Sequence, residues 1–103
     1  MKKFLIIAAG TLALLSAGAA VAGDAAAGKA KAAMCAACHG PTGVSVNPLW
    51  PSLAGQQEAY LAKQITAFRD GTRSDPLMAP MAAALSDADI ADLAAFYAAQ
   101  SCK

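Results

Sequence analysis

Cys35-Ala36-Ala37-Cys38-His39 constrains this chain more than any other stretch, because two thiols and an imidazole within one short run admit few chemistries. Residues three apart on a helical turn face the same way, so both thiols can meet one porphyrin edge. His39 follows the second thiol directly, and a neutral imidazole nitrogen suits iron as a ligand. The C-x-x-C-H run therefore reads as an attachment site for one covalent haem c. Two other uses of C-x-x-C fit poorly. A structural zinc site needs four protein ligands, and the chain offers only Cys102 beyond the pair and no second His. A thioredoxin-like pair opens a helix after a strand, and no β-rich run precedes Cys35.

The N-terminus reads as a separate segment. Met1-Lys2-Lys3 is basic, Phe4 to Leu15 is almost unbroken apolar sequence, and Ala20-Val21-Ala22 is a small-x-small cleavage site. A secretory signal peptide over residues 1–22 is expected, leaving one domain over 23–103 outside the cytoplasm. A membrane anchor is the weaker reading, since the apolar run falls short of the roughly 20 residues of a spanning helix. Removal of Lys2 and Lys3 leaves six basic against seven acidic side chains, a net charge near −1. That balance offers neither a nucleic-acid footprint nor a polybasic membrane patch. A domain of this size is marginal on its hydrophobic core alone, and a large apolar group tethered by two bonds would supply what an Ala-rich, aromatic-poor sequence lacks.

Asp24 to Met34 reads as a first helix, with Asp24 as N-cap and alanines as strong helix formers. Gly28 is unfavourable inside a helix and predicts a close helix crossing there. From Gly40 to Gly55, glycines and prolines exclude a long helix or a central strand. Leu49, Trp50 and Leu53 nevertheless give this loop an apolar side, expected to fold over a haem face. Pro41 is expected to turn its carbonyl toward the free ring nitrogen of His39. Leu61, Ile65 and Phe68 recur at helical spacing in the stretch that Gly71 ends. A loop over Thr72–Met81 follows, and then Ser86-Asp87-Ala88-Asp89 resembles a capping box for a last helix from Asp87 to about Gln100. No strand pattern and no repeat is present.

A second axial ligand to the iron would come from a thioether, which is soft and raises the reduction potential. Met34, Met78 and Met81 are the candidates. Met34 sits beside Cys35, on the wrong side to reach over the ring, while Met78 and Met81 share the Pro-flanked loop before the last helix. Local sequence does not choose between those two.

The early C-x-x-C-H, the run Pro51-Ser52-Leu53-Ala54-Gly55-Gln56, and Met78-Ala79-Pro80-Met81 followed by Leu85-Ser86-Asp87 together resemble the small class I cytochromes c of bacterial periplasms. The likeness is to the single-haem forms and to each half of the two-haem forms, and it covers the chain after residue 22. It implies an all-α class I cytochrome c fold, with about three main helices around one haem. It also implies that the axial Met lies seven residues before the Leu of L-S-D, which is Met78. The expected ligand set is Cys35 and Cys38 as thioethers with His39 and Met78 on the iron. The family packs its first and last helices near a glycine, which would set Gly28 against Phe96 or Tyr97.

The function implied is periplasmic one-electron transfer, with no small-molecule substrate and no enzymatic step. Partners of that class are a quinol-oxidising complex, a terminal oxidase or a periplasmic reductase. Ala36, Ala37, Pro80 and Met81 would border the docking patch. Two alternatives are a haem subunit of a larger oxidoreductase and a gas-binding sensor with a vacant sixth position. Cys102 departs from the pattern, and an incidental tail thiol is the expectation.

Overall fold

The computed structural model describes residues 23–102, so the signal segment expected over 1–22 lies outside the described residues. Five helices occur there: α1 (Ala25–Lys31), α2 (Ala33–His39), α3 (Glu58–Asp70), α4 (Met78–Ala82) and α5 (Asp87–Ala98). Among the described residues there is no strand, as the all-α expectation required.

Asp24 caps α1 as expected, its carboxylate accepting from the backbone N–H of Ala26 at 2.9 Å. The first helix is then divided where the sequence predicted one continuous element. At Ala32 the turn tightens, and the Cys35 N–H bonds the Ala32 carbonyl three residues back at 2.9 Å. Bonds from Ala32 to Gly28 and from Ala36 to Ala32 continue across the junction, so the ladder is tightened rather than broken. Gly71 ends α3 at φ 85°, the left-handed value that glycine reaches without a Cβ clash. The capping box of α5 is complete: Ser86 Oγ accepts from Asp89 N, and the Asp89 carboxylate accepts from Ser86 N, both at 3.0 Å. That helix stops at Ala98, slightly short of the expected end.

The predicted crossing is present between α1 and α5. A Cβ at Gly28 would run into the Asp92 backbone carbonyl and stand 2.8 Å from Phe96 Cβ, so Phe96 and Asp92 are its neighbours. Lys31 Nζ clasps the same crossing, 2.8 Å from Asp89 and 2.6 Å from Asp92. Asp92 also accepts from Asp24 N at 2.8 Å. On another side, Arg69 of α3 reaches Asp87 at 2.7 Å and the Leu85 carbonyl at 3.2 Å, which ties α3 to the start of α5. Ala32, Leu61, Leu93, Ala94, Phe96 and Tyr97 form the buried core.

The loop expected over residues 72–81 is partly helical. Asp75 accepts from the N–H groups of Leu77 and Met78 at 2.8 and 2.9 Å, and its carbonyl accepts from Ala79, which starts α4 at Met78. Pro80 lies in the first turn of α4, where its missing N–H has no intrahelical role to lose.

Candidate functional site

The thiols and the imidazole predicted from C-x-x-C-H sit on α2, and they open onto one cavity of about 730 Å³. Cys35, Cys38 and His39 border it together with Met78 and Met81, so the structure gathers residues from sequence positions far apart. Met34 borders it as well, half exposed, although the sequence reading had set it aside as badly placed. The remaining wall is largely apolar: Leu49, Trp50 and Leu53 from the long loop, Leu61, Ile65 and Phe68 from α3, and Leu85, Leu93 and Tyr97 from the α5 region. Loop residues predicted to cover something hydrophobic therefore do face an apolar space.

His39 is only 7% exposed, and its Nδ1 lies 2.7 Å from the carbonyl oxygen of Pro51. A carbonyl can only accept, so Nδ1 carries the hydrogen and Nε2 keeps its lone pair for a ligand role. The sequence reading had placed Pro41 in that position. Pro41 instead follows Gly40 at φ 85° and lies exposed in the turn, while the loop returns and brings Pro51 over the ring. Several bonds hold that return. The Gly43 carbonyl accepts from Leu53 and Ala54 at 2.7 and 3.0 Å. Ser45 donates its hydroxyl to the Cys38 carbonyl at 3.3 Å and its backbone N–H to Ser52 Oγ at 2.9 Å.

Met78 is held from behind by Asp75. The Met78 N–H, with Leu77 second, holds the Asp75 carboxyl below its ordinary range. At another part of the wall Arg73 donates to Gln64 Oε1 at 2.8 Å and lies 4.5 Å above the Phe68 ring, a cation on a largely apolar lining. Asp75, Pro51 and Arg73 escaped sequence reasoning. Only Asp75 had a usable signal, the turn-starting Asp75-Pro76 pair just before Met78. Burial pushes the Cys35 thiol up. No cluster of three or more His, Cys, Asp or Glu side chains placed to hold a metal ion occurs among the described residues.

The cavity fits a porphyrin on its own features. Its volume lies in the range of roughly 300–1,000 Å³ typical of sites for bound small molecules and cofactors. Its wall is apolar where a macrocycle would lie, and its reactive groups are two thiols and an imidazole, the donor set for covalent attachment and iron ligation. Cys102 takes no part. It is exposed in the tail, and its sulfur lies close to Gly55.

Comparison with known proteins agrees with this geometry. The sequence model of the family described as Cytochrome c matches residues 25–99. Cytochrome c-554(548) of Halomonas halodenitrificans is 52% identical over 82 residues, covering 77% of this chain and 99% of that protein. Cytochrome c4 of Pseudomonas aeruginosa is 54% identical over 79 residues, covering 77% of this chain and 39% of the relative. A thiosulfate dehydrogenase electron acceptor of Stutzerimonas stutzeri is 46% identical over 67 residues, 62% of this chain and 31% of that protein. Among solved structures, reduced recombinant cytochrome c4 from Pseudomonas stutzeri superimposes with a TM-score of 0.75 at 43% identity, over 78% of this chain and 47% of the other. The chain thus spans the whole of one relative and less than half of the others.

Proposed function

Because the chain belongs to the cytochrome c family and is thereby a haem-bearing electron carrier, we propose that it works in the periplasm as a single-haem shuttle between redox proteins. Bound haem c supplies a one-electron iron couple, and the protein's part is to hold it. Cys35 and Cys38 tether the group through thioethers and prevent its loss. His39 presents Nε2 to the iron, kept in that tautomer by the Pro51 carbonyl 2.7 Å from Nδ1. Met78 would supply a thioether ligand to the iron, and Asp75 fixes the backbone from which it reaches. With His39 and Met78 both serving as ligands, the iron would offer a substrate no position, and the chemistry would be electron transfer alone. The observation that carries this reading is the meeting of two thiols, an imidazole and Met78 around one apolar cavity.

Export is proposed through a signal peptide over residues 1–22, cleaved after Ala22. Bacterial c-type cytochromes are typically periplasmic, and no helix among the described residues is long and apolar enough to cross a membrane. Docking is proposed at Ala36, Ala37, Pro80 and Met81, none of them charged and three of them exposed. Donors and acceptors of the proposed class are quinol-oxidising complexes, terminal oxidases and periplasmic reductases. Likeness to a thiosulfate dehydrogenase electron acceptor favours a second arrangement, in which the partner is a dehydrogenase that hands electrons to this chain.

Protein-film voltammetry of the holoprotein tests the assignment. One reversible one-electron wave is expected, with Met78→Ala lowering the potential and admitting added imidazole as a ligand, and Met81→Ala leaving both unchanged. The reverse pattern would move the ligand to Met81. Indifference to both substitutions would contradict thioether ligation from α4.

A further inference from the structure

Tyr97 is one of the two largest fully buried side chains, 1% exposed, and it borders the cavity from α5. Its ring is closely fitted. Phe96 meets it edge-on at 5.0 Å between centroids, and a Cβ at Gly43 would stand 2.7 Å from its Cδ1. Its backbone carbonyl accepts from Gly55 at 3.0 Å. The hydroxyl alone is unaccounted for. It is a buried side-chain oxygen with no hydrogen-bond partner, and none other is found among the described residues. A buried hydroxyl without a partner is unfavourable, and phenylalanine would fill the same space without that penalty.

The Cys35 thiol packs against the core cluster that holds Tyr97 and borders the same cavity, and the two groups influence each other. Burial chiefly, with the Cys35 sulfur adding to it, makes the Tyr97 proton hard to remove, so the group is a donor. In turn, the Tyr97 hydroxyl partly offsets the upward push of burial on Cys35. A donor beside a thiol orients the sulfur and stabilises negative charge on it.

We infer that Tyr97 is a positioning residue for haem attachment: its otherwise unpartnered hydroxyl turns to donate to the Cys35 sulfur, aims it into the cavity, and keeps the bond to the thioether afterwards. The inference rests on the haem reading proposed above. In the attachment step the Cys35 S–H adds across a vinyl C=C. A sulfur–carbon bond forms, the π bond is lost, the hydrogen ends on the adjacent carbon, and no net oxidation occurs. The thioether sulfur retains lone pairs that can accept the same hydrogen bond. Cys38 serves as the internal control.

The test compares the wild type, Tyr97→Phe and Ile90→Ala, each made in a host that matures c-type haem. Mass spectrometry of digests locates the thioethers, and pyridine haemochrome spectra count the remaining vinyl groups. Expected is double attachment in the wild type. In Tyr97→Phe, a several-fold larger fraction should be held by Cys38 alone, with the α band shifted to longer wavelength. Ile90→Ala, a core change away from the cavity wall, should lower the melting temperature and leave the attachment ratio unchanged. Tyr97→Phe with wild-type double attachment would overturn the inference while leaving the haem reading intact. An equal loss at Cys35 in Ile90→Ala would also overturn it, as a general effect of instability. A wild type with no covalent haem would overturn both. Should Tyr97→Phe yield no holoprotein, proton NMR of the ferrous wild type decides. A Tyr97 hydroxyl proton protected from exchange supports the role, and exchange at the rate of free tyrosine contradicts it.

Discussion

Two neighbouring faces of α5 are built from opposite materials. Asp92 and Phe96 meet α1 so closely that Gly28 has no room for a methyl group, and Lys31 closes the contact with two carboxylates. Leu93 and Tyr97, one residue further along the helix, look onto a cavity of about 730 Å³. One face is finished by protein alone, and the other is shaped for something the polypeptide does not supply. The contrast bears on how a domain this small, whose buried core includes two alanines, can hold a fold: a bound cofactor would complete the core on the open face. It also separates roles, since the crossing fixes where α2 and α5 stand and the cavity uses what they carry.

The largest break should come from emptying the open face. Replacing Cys35 and Cys38 together by Ala removes the tethers, and circular dichroism is expected to show most of the helical signal lost, with no haem retained after denaturing electrophoresis. A fully helical chain without haem would mean that the crossing suffices alone. Next is Gly28→Ala at the closed face. Overpacking against the Asp92 backbone should cost on the order of 1–3 kcal/mol, and each kcal/mol should lower the melting temperature by roughly 4–8 °C in a domain this small. The visible spectrum of the variant should stay unchanged, because the cavity wall is untouched.

Acid should loosen the closed face in a defined window. Lys31 first, and then its bonds with Ser86, hold Asp89 at about 2, and Asp92 is lowered by Lys31 and the Asp24 N–H. Both carboxyls lie below the unfolded value of about 4, so their contribution is full above that value and is lost as pH falls toward the folded values. The melting temperature should drop between about pH 4 and about pH 2, and Lys31→Met should flatten that drop. The smallest effect is expected at the docking patch. With no charge on Ala36, Ala37, Pro80 or Met81, electron-transfer rates with a partner should change by less than about tenfold from low to moderate ionic strength. A steeper fall would put charged residues at the interface.

Much of this contrast was legible in the residues. Gly28 announced the crossing because an internal helix glycine needs a reason, and Ser86 with Asp89 announced the cap because both partners are local. The C-x-x-C-H run and the loop carrying Met78 and Met81 were expected to meet one haem, and both border one cavity. What escaped depended on the path of the long loop. Pro41 is next to His39 in near sequence, yet Pro51 is the residue whose carbonyl reaches it, because Gly40 and Gly43 turn the chain away and Ser45 draws it back. The tightened turn at Ala32 has no marking residue at all, and no physical cause for it is visible in the local sequence. The orphan hydroxyl of Tyr97 was equally hidden, since an aromatic residue at helical spacing reads simply as core.

The most direct test of a cavity closed by ligands from both faces is the visible spectrum of the ferrous holoprotein before and after carbon monoxide. The account predicts a low-spin spectrum that the gas leaves unchanged, with His39 and Met78 occupying both axial positions. A prompt shift on adding the gas would show an open or labile sixth position, contradict the carrier assignment and favour a gas-binding role.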